Sequence, residues 1–168
     1  MLTGERVVLR PVEAGDADDL EAMFAEPAVA QRWPQRDRAK IDAELLHPDD
    51  DTTVYAITVD GDVVGIIQSW EEPDPEYRHA GMDIAVATRW HGKGVALDAL
   101  RTLARHLIEV DGHHRLTIDP ALDNERAIAC YRKVGFRPVG VMRKYERGAD
   151  GTFHDALLMD MLADELET

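Results

Sequence analysis

The sequence predicts an α/β protein built on one mixed, mostly antiparallel sheet of about seven strands flanked by about four helices. Three observations lead there. Alternating apolar and polar residues at 53–59 and 63–70 surround Asp60-Gly61-Asp62, and 136–146 and 153–161 surround Gly148-Ala149-Asp150-Gly151, so both pairs read as antiparallel hairpins. Two strand-like runs, 80–87 and 115–119, each lead into a helical pattern, which implies crossover connections. With 45% hydrophobic residues among 168, the chain can bury one ordinary core, and residues 1–168 read as a single domain.

The elements follow in order. Val7-Val8-Leu9-Arg10-Pro11 reads as the first strand. Asp16 reads as the N-cap of a helix to Ala25 that buries Leu20, Met23 and Phe24 at helical spacing. Arg38 to Leu46 is a second short helix, and the hairpin around Asp60-Gly61-Asp62 follows. The strand at 80–87 leads to a helix at 93–110, then the loop Asp111-Gly112-His113 and a strand from Arg115 to Asp119. A helix from Asn124 to Val134 is closed by Gly135, and the second hairpin ends the fold. Met142, Met159 and Met161 on that hairpin are expected in the core, and Asp160 to Thr168 as a solvated tail.

Charge divides the chain. The formal net charge is −14, but residues 1–88 hold 20 acids against 7 Lys and Arg, while residues 89–148 hold 12 bases against 7 acids. Such an acidic whole is a poor partner for nucleic acid. It reads either as a solvated surface or as two regions, one drawing a cationic acceptor and the other an anionic cofactor. No apolar run reaches the roughly 18 residues a membrane helix needs, so no membrane partner is expected. The opening MLTGERVVLRP has no apolar signal core, which predicts a cytoplasmic protein, monomer or homodimer. The single cysteine, Cys130, excludes an internal disulfide and reads as packing within a helix. The seven histidines include no i, i+4 pair, so no metal site is expected.

The run Arg89-Trp90-His91-Gly92-Lys93-Gly94-Val95-Ala96 lies between a strand and a helix. A glycine-spaced turn there bares backbone N–H groups beside the positive end of a helix dipole, which makes a phosphate site. It is not a Walker A loop, because Gly94 rather than Ser or Thr follows Lys93. Nor does it carry the three spaced glycines of a dinucleotide fingerprint.

Arg89-x-x-Gly92-x-Gly94-x-Ala96 resembles the acyl-coenzyme A signature of the GCN5-related N-acetyltransferases (GNAT). The later run Asn124-Glu-Arg-Ala127-Ile-Ala-Cys-Tyr131-Arg-Lys-Val-Gly135-Phe136 resembles the family's second signature. The resemblance spans nearly the whole chain. It implies a GNAT-like fold with a V-shaped splay between strands 4 and 5, those at 80–87 and 115–119. It implies acetyl-coenzyme A as cofactor, with the pantetheine arm paired to the backbone of Ile84, Ala85 and Val86. The diphosphate would rest on the amides around Gly92, Lys93, Gly94, Val95 and Ala96, with the Lys93 and Arg89 side chains adding charge. Asn124, Ala127 and Tyr131 would face the same ligand, Asn124 also serving as a plain N-cap.

Acetyl transfer to an amine also needs a base and an acid. An acid inside an apolar strand is costly unless used, which makes Asp83 the candidate base, directly or through water, with Asp119 second. Tyr131 is either the acid that protonates the departing thiolate or a packing residue, and the matching context favours the first. Gly81-Met82-Asp83 and Asp119-Pro-x-x-x-Asn124 look like the aminoglycoside 6'-N-acetyltransferases. That likeness implies an acceptor pocket of Trp33, Gln68, Trp70, Asp83, Asp119 and Asp155 for a cationic small-molecule amine, and a role in antibiotic resistance. Leu2 to Pro11 and Glu26 to Trp33 also resemble acetyltransferases acting on ribosomal-protein N-termini or lysine-derived siderophore amines. A third class, an acyl-coenzyme A sensor without catalysis, would keep the glycine turn but lose the acids and Tyr131.

Overall fold

The computed structural model describes residues 1–34 and 36–167. Its strands are β1 (Leu2–Thr3), β2 (Val8–Pro11), β3 (Thr52–Val59), β4 (Asp62–Glu72), β5 (His79–Val86), β6 (Arg115–Ile118), β7 (Arg137–Arg147) and β8 (Phe153–Leu162). The α-helices are α1 (Ala17–Ala25), α2 (Pro27–Ala30), α3 (Arg38–Ile41), α4 (Val95–Glu109) and α5 (Glu125–Val134). One sheet runs β1-β2-β3-β4-β5-β6-β8-β7. All neighbours are antiparallel except β5 and β6. The mixed sheet and the hairpins thus match the sequence reading, with β1 as an eighth strand.

The turn joining β3 to β4 places Asp60 at φ 52° and Gly61 at φ 91°, the paired left-handed geometry of a tight hairpin. Successive residues of β4 face opposite sides, and Ile66 and Ile67 accordingly enter two different apolar clusters. One cluster packs Leu100, Leu103 and Leu107 of α4 against Leu9, Ile57, Ile67, Leu116 and Met159. The other packs Leu20 and Phe24 of α1 and Ile41 of α3 against Val54 and Ile66. The helices therefore cover both faces of the sheet.

Three local expectations are corrected. Asp16 does not cap α1 through its side chain. Its carboxylate instead accepts two hydrogen bonds from Arg10, at 2.7 and 2.8 Å, and one from the Glu13 amide. The helix expected over 38–46 is α3 followed by a wider π turn at 42–46, and α2, begun by Pro27, is an added helix. The C-terminal segment is not a solvated tail. Met161 is fully buried in β8, Leu166 packs against the core, and the Glu167 amide donates to the Val134 carbonyl at 2.8 Å. Thr168 lies outside the described residues. Met159 is buried as expected, while Met142 is half-buried.

The feature that positions the site is a divergence. β5 and β6 pair only at Ala80–Leu116 and Gly81–Thr117, and beyond Gly81 the two strands part. The gap opens where β5 runs into the glycine turn. Among the described residues no helix is long and apolar enough to cross a membrane.

Candidate active site

A cleft of about 1190 Å³ occupies the gap. At one end lies the turn before α4. Gly92 (φ 72°) and Gly94 (φ 82°) are left-handed, a conformation that favours glycine, and no atom lies within 4 Å of where a Cβ on either would sit. The first intrahelical bond runs from the Asp98 amide to the Gly94 carbonyl, so the amides of Val95, Ala96 and Leu97 have no partner inside α4. Lys93 sits over the Trp90 ring, its Nζ 5.1 Å from the ring centroid. The Trp90 indole N–H is buried without a hydrogen-bond partner among the described residues. An open cradle of unpaired amides at the positive end of a 15-residue helix fits an anionic diphosphate. Gly92, Gly94 and Ala96 line the cleft; Arg89, Lys93 and Val95 do not.

The wall of the cleft is the free side of β5. The Trp33 indole N–H donates to the Ile84 carbonyl at 3.2 Å, and His91 Nε2–H donates to the Val86 carbonyl at 2.7 Å. Two carbonyls that face the gap are thus held by side chains, while Ile84, Ala85 and Val86 still line the cleft. Across the gap, Asn124 caps α5 by accepting the Ala127 amide at 3.3 Å, and both residues line the cleft. The Arg32–Asp123 ion pair, 2.5 Å, joins the turn after α2 to the loop before α5, and Arg32 lines the cleft.

At the other end stand the ionisable groups. Gln68 on β4 is registered against Asp83 on β5, and both line the cleft. Burial first, and then the nearby Asp119 carboxylate, push the Asp83 carboxyl up to about 7. Its Oδ1 accepts the Ile84 amide at 2.9 Å, which works the other way. Tyr131 is buried against Phe136, and burial with the Asp83 charge raises its hydroxyl above the ordinary phenol range. Burial also raises Asp119, opposed by the hydrogen bond that it accepts from the Tyr145 hydroxyl at 2.7 Å. That same bond is the main reason Tyr145 is pushed up to about 12.

Of the expected acceptor residues, Trp33, Gln68, Asp83 and Asp119 meet in this cleft, and Trp70 and Asp155 do not line it. The Trp70 indole lies across Gly81, where a Cβ would come within 1.9 Å of the ring. The Asp155 carboxylate accepts the Lys144 amide at 2.8 Å. Residues given no role of their own in the sequence reading also line the cleft: Arg36, Trp90, His91, Tyr145 and Glu146. Trp90 and His91 lay within the glycine turn and were open to discovery there. Cys130, expected as packing, is half-buried on the cleft wall, and burial raises its thiol, which disfavours the thiolate.

The cleft in the splayed sheet is thus lined by the glycine turn before α4 and by Asp83 and Tyr131. Residues 6–137 match the model of the acetyltransferase (GNAT) domain, and the chain belongs to that family of N-acetyltransferases, which use acetyl-coenzyme A. It is 28% identical to the L-amino acid N-acetyltransferase AaaT of Escherichia coli K12, over 91% of this chain and 96% of that protein. It is 31% identical to the aminoglycoside N(6')-acetyltransferase type 1 of Klebsiella pneumoniae, over 54% of this chain and 50% of that protein. The solved structure of AAC(6')-Ib with paromomycin and acetyl-coenzyme A superposes with a TM-score of 0.78 at 24% identity, covering 96% of each chain.

Proposed function

We propose that the chain acetylates a primary amine of a cationic small molecule, foremost the 6'-amine of an aminoglycoside, within one ternary complex. One observation carries the reading: a raised Asp83 carboxyl and the Tyr131 hydroxyl share a cleft with Asp119 and Glu146, one gap away from the glycine cradle. The cradle, the free side of β5 and Asn124 would hold acetyl-coenzyme A, which supplies an activated thioester when bound. An alkyl ammonium with a pKa above about 9 must shed a proton before it can act as a nucleophile. Asp83 receives that proton, directly or through one water. With its carboxyl near 7, it is largely ionised at slightly alkaline pH yet basic enough to accept. Tyr131 stays protonated throughout that range, which supports its reading as the proton donor to the departing thiolate. Asp119 and Glu146 attract the remaining positive charges of the acceptor. The similarity to the Klebsiella enzyme and the Asp119-Pro-x-x-x-Asn124 run support the aminoglycoside choice.

One observation favours a second acceptor class, an α-amino acid. Arg36 lines the same cleft and acts on Asp83 as a nearby positive charge, so ammonium and carboxylate groups would both find partners. The similarity to AaaT supports this alternative.

The test is thiol release from acetyl-coenzyme A with kanamycin A, spermidine, L-amino acids and an N-terminal peptide as separate acceptors. Release with kanamycin A is expected to exceed that with the others. Release confined to amino acids or to the peptide overturns the aminoglycoside assignment, and release with none, despite cofactor binding, overturns catalysis.

A further inference from the structure

We propose that the bulge in β7 is a specificity device: Asp155 fixes it, and the Tyr145 and Glu146 side chains that it turns into the cleft select acceptors bearing more than one ammonium group. The proposal rests on the transfer reading above and adds residues to it.

The geometry begins with register. Met142 pairs with Ala156 and Glu146 with His154, so Arg143, Lys144 and Tyr145 together face one residue, Asp155. In a regular strand Tyr145 and Glu146 would point to opposite faces. Here both line the same cleft, which the extra residues make possible. The backbone turns at Lys144, whose φ of 50° is left-handed although it is not glycine. Such a conformation persists only where its surroundings hold it.

Asp155 supplies the hold. Its carboxylate accepts the Lys144 amide at 2.8 Å, and its own carbonyl accepts the Leu122 amide at 3.0 Å. One residue of β8 is thereby tied to the bulge on one side and to the loop following Asp119 on the other. The consequence is the 2.7 Å bond from the Tyr145 hydroxyl to Asp119, which fixes that carboxylate. Glu146 joins them in the cleft; burial first, and then the negative charge of Asp119, raises its carboxyl, and Glu146 adds a smaller push to that of burial and Asp119 on Asp83. Of the cations near these acids, Arg36 is bonded to Glu44 at 2.7 Å, Arg147 donates to the Gly151 carbonyl, and His154, which is paired in register with Glu146 and lowers its carboxyl, is bonded to Asp150 at 2.9 Å. Three mutually repelling carboxyl groups are relieved by a ligand with one ammonium at Asp83 and a second between Asp119 and Glu146.

The experiment compares kanamycin A with 6-amino-6-deoxyglucose, a single-amine sugar, at saturating acetyl-coenzyme A. Glu146→Gln is expected to raise KM for kanamycin A about tenfold, with a loss on the single-amine sugar about fivefold smaller. Asp155→Ala is expected to raise the same KM about tenfold while the Kd for coenzyme A moves less than about twofold. Asp155→Asn keeps an oxygen for the Lys144 amide and is expected to stay within about threefold of the parent. An Asn variant as impaired as the Ala variant overturns the positioning role, because the charge itself would then be needed. Equal losses on both sugars, or none for Glu146→Gln, overturn the charge selection. If neither sugar is acetylated, calorimetric titration of kanamycin A into the coenzyme A-loaded protein decides. Weaker binding to Glu146→Gln sustains this inference although the transfer reading fails, and equal or absent binding overturns it.

Discussion

At Asp83 the proposed chemistry and the stability of the fold pull in opposite directions. The Asp83 carboxyl is raised from 3.8 to about 7, so between those values the folded chain keeps a proton that the unfolded chain has lost. The stabilising contribution is complete below about 4 and is lost as pH rises through about 7. Asp83→Asn removes the ionisation. It should melt at a higher temperature than the parent at pH 8, with the gain vanishing at pH 4, while acetyl transfer falls at least about 100-fold. Melting curves at both pH values, with initial rates, test this; unchanged turnover would remove Asp83 from the mechanism. The parent rate should climb with pH through about 7. Asp83 was legible because an acid interrupts an apolar strand. Tyr145 and Glu146 were not, because Arg143-Lys144-Tyr145-Glu146 contains no glycine to announce the left-handed turn at Lys144.

At the scale of elements, the glycine turn and the strands around it were readable, since glycine spacing and alternation are local signals. What escaped depended on partners distant in sequence. Asp16 looks like a cap from its neighbours, but Arg10 on β2 claims its carboxylate. β1 exists because Asp98 of α4 accepts the amides of Glu5, Arg6 and Val7 at 3.1, 2.7 and 3.0 Å, and nothing near Leu2 foretells that. Asp98→Ala strands three amides at once and should cost about 1–3 kcal/mol, read as a lower melting temperature. Asp98→Asn, which keeps one acceptor oxygen, should lose less. Equal melting of parent and Ala variant would mean that the turn stands without its anchor.

For the molecule as a whole, the charge imbalance along the sequence does not map onto the cleft, because of its three acids only Asp83 comes from the acidic residues 1–88, and Asp119 and Glu146 come from the basic segment 89–148. Asp83, Asp119 and Glu146 face one end of the cleft, and the amide cradle of α4 faces the other. Long-range attraction between an acidic body and a polycation is screened over about 8 Å at physiological ionic strength. The KM for kanamycin A should therefore rise several-fold between low and high salt, while that for an uncharged-tail amine changes little. A flat salt response would place recognition in contacts rather than charge. The fold class was legible because hairpins and crossovers leave their marks along the chain, whereas the acceptor end is assembled from β5, β6 and β7, whose meeting no local pattern records. One consequence concerns mechanics. The two halves of the sheet are laced together by two residue pairs, Ala80–Leu116 and Gly81–Thr117, at the tip of a wedge-shaped crack. The leucines of α4, which pack against Leu9 and Ile67 of one half and Leu116 and Met159 of the other, clamp the crack from one face; a guest lodged in it would act as mortar between masonry blocks, adding to that clamp and to the stitching at the tip.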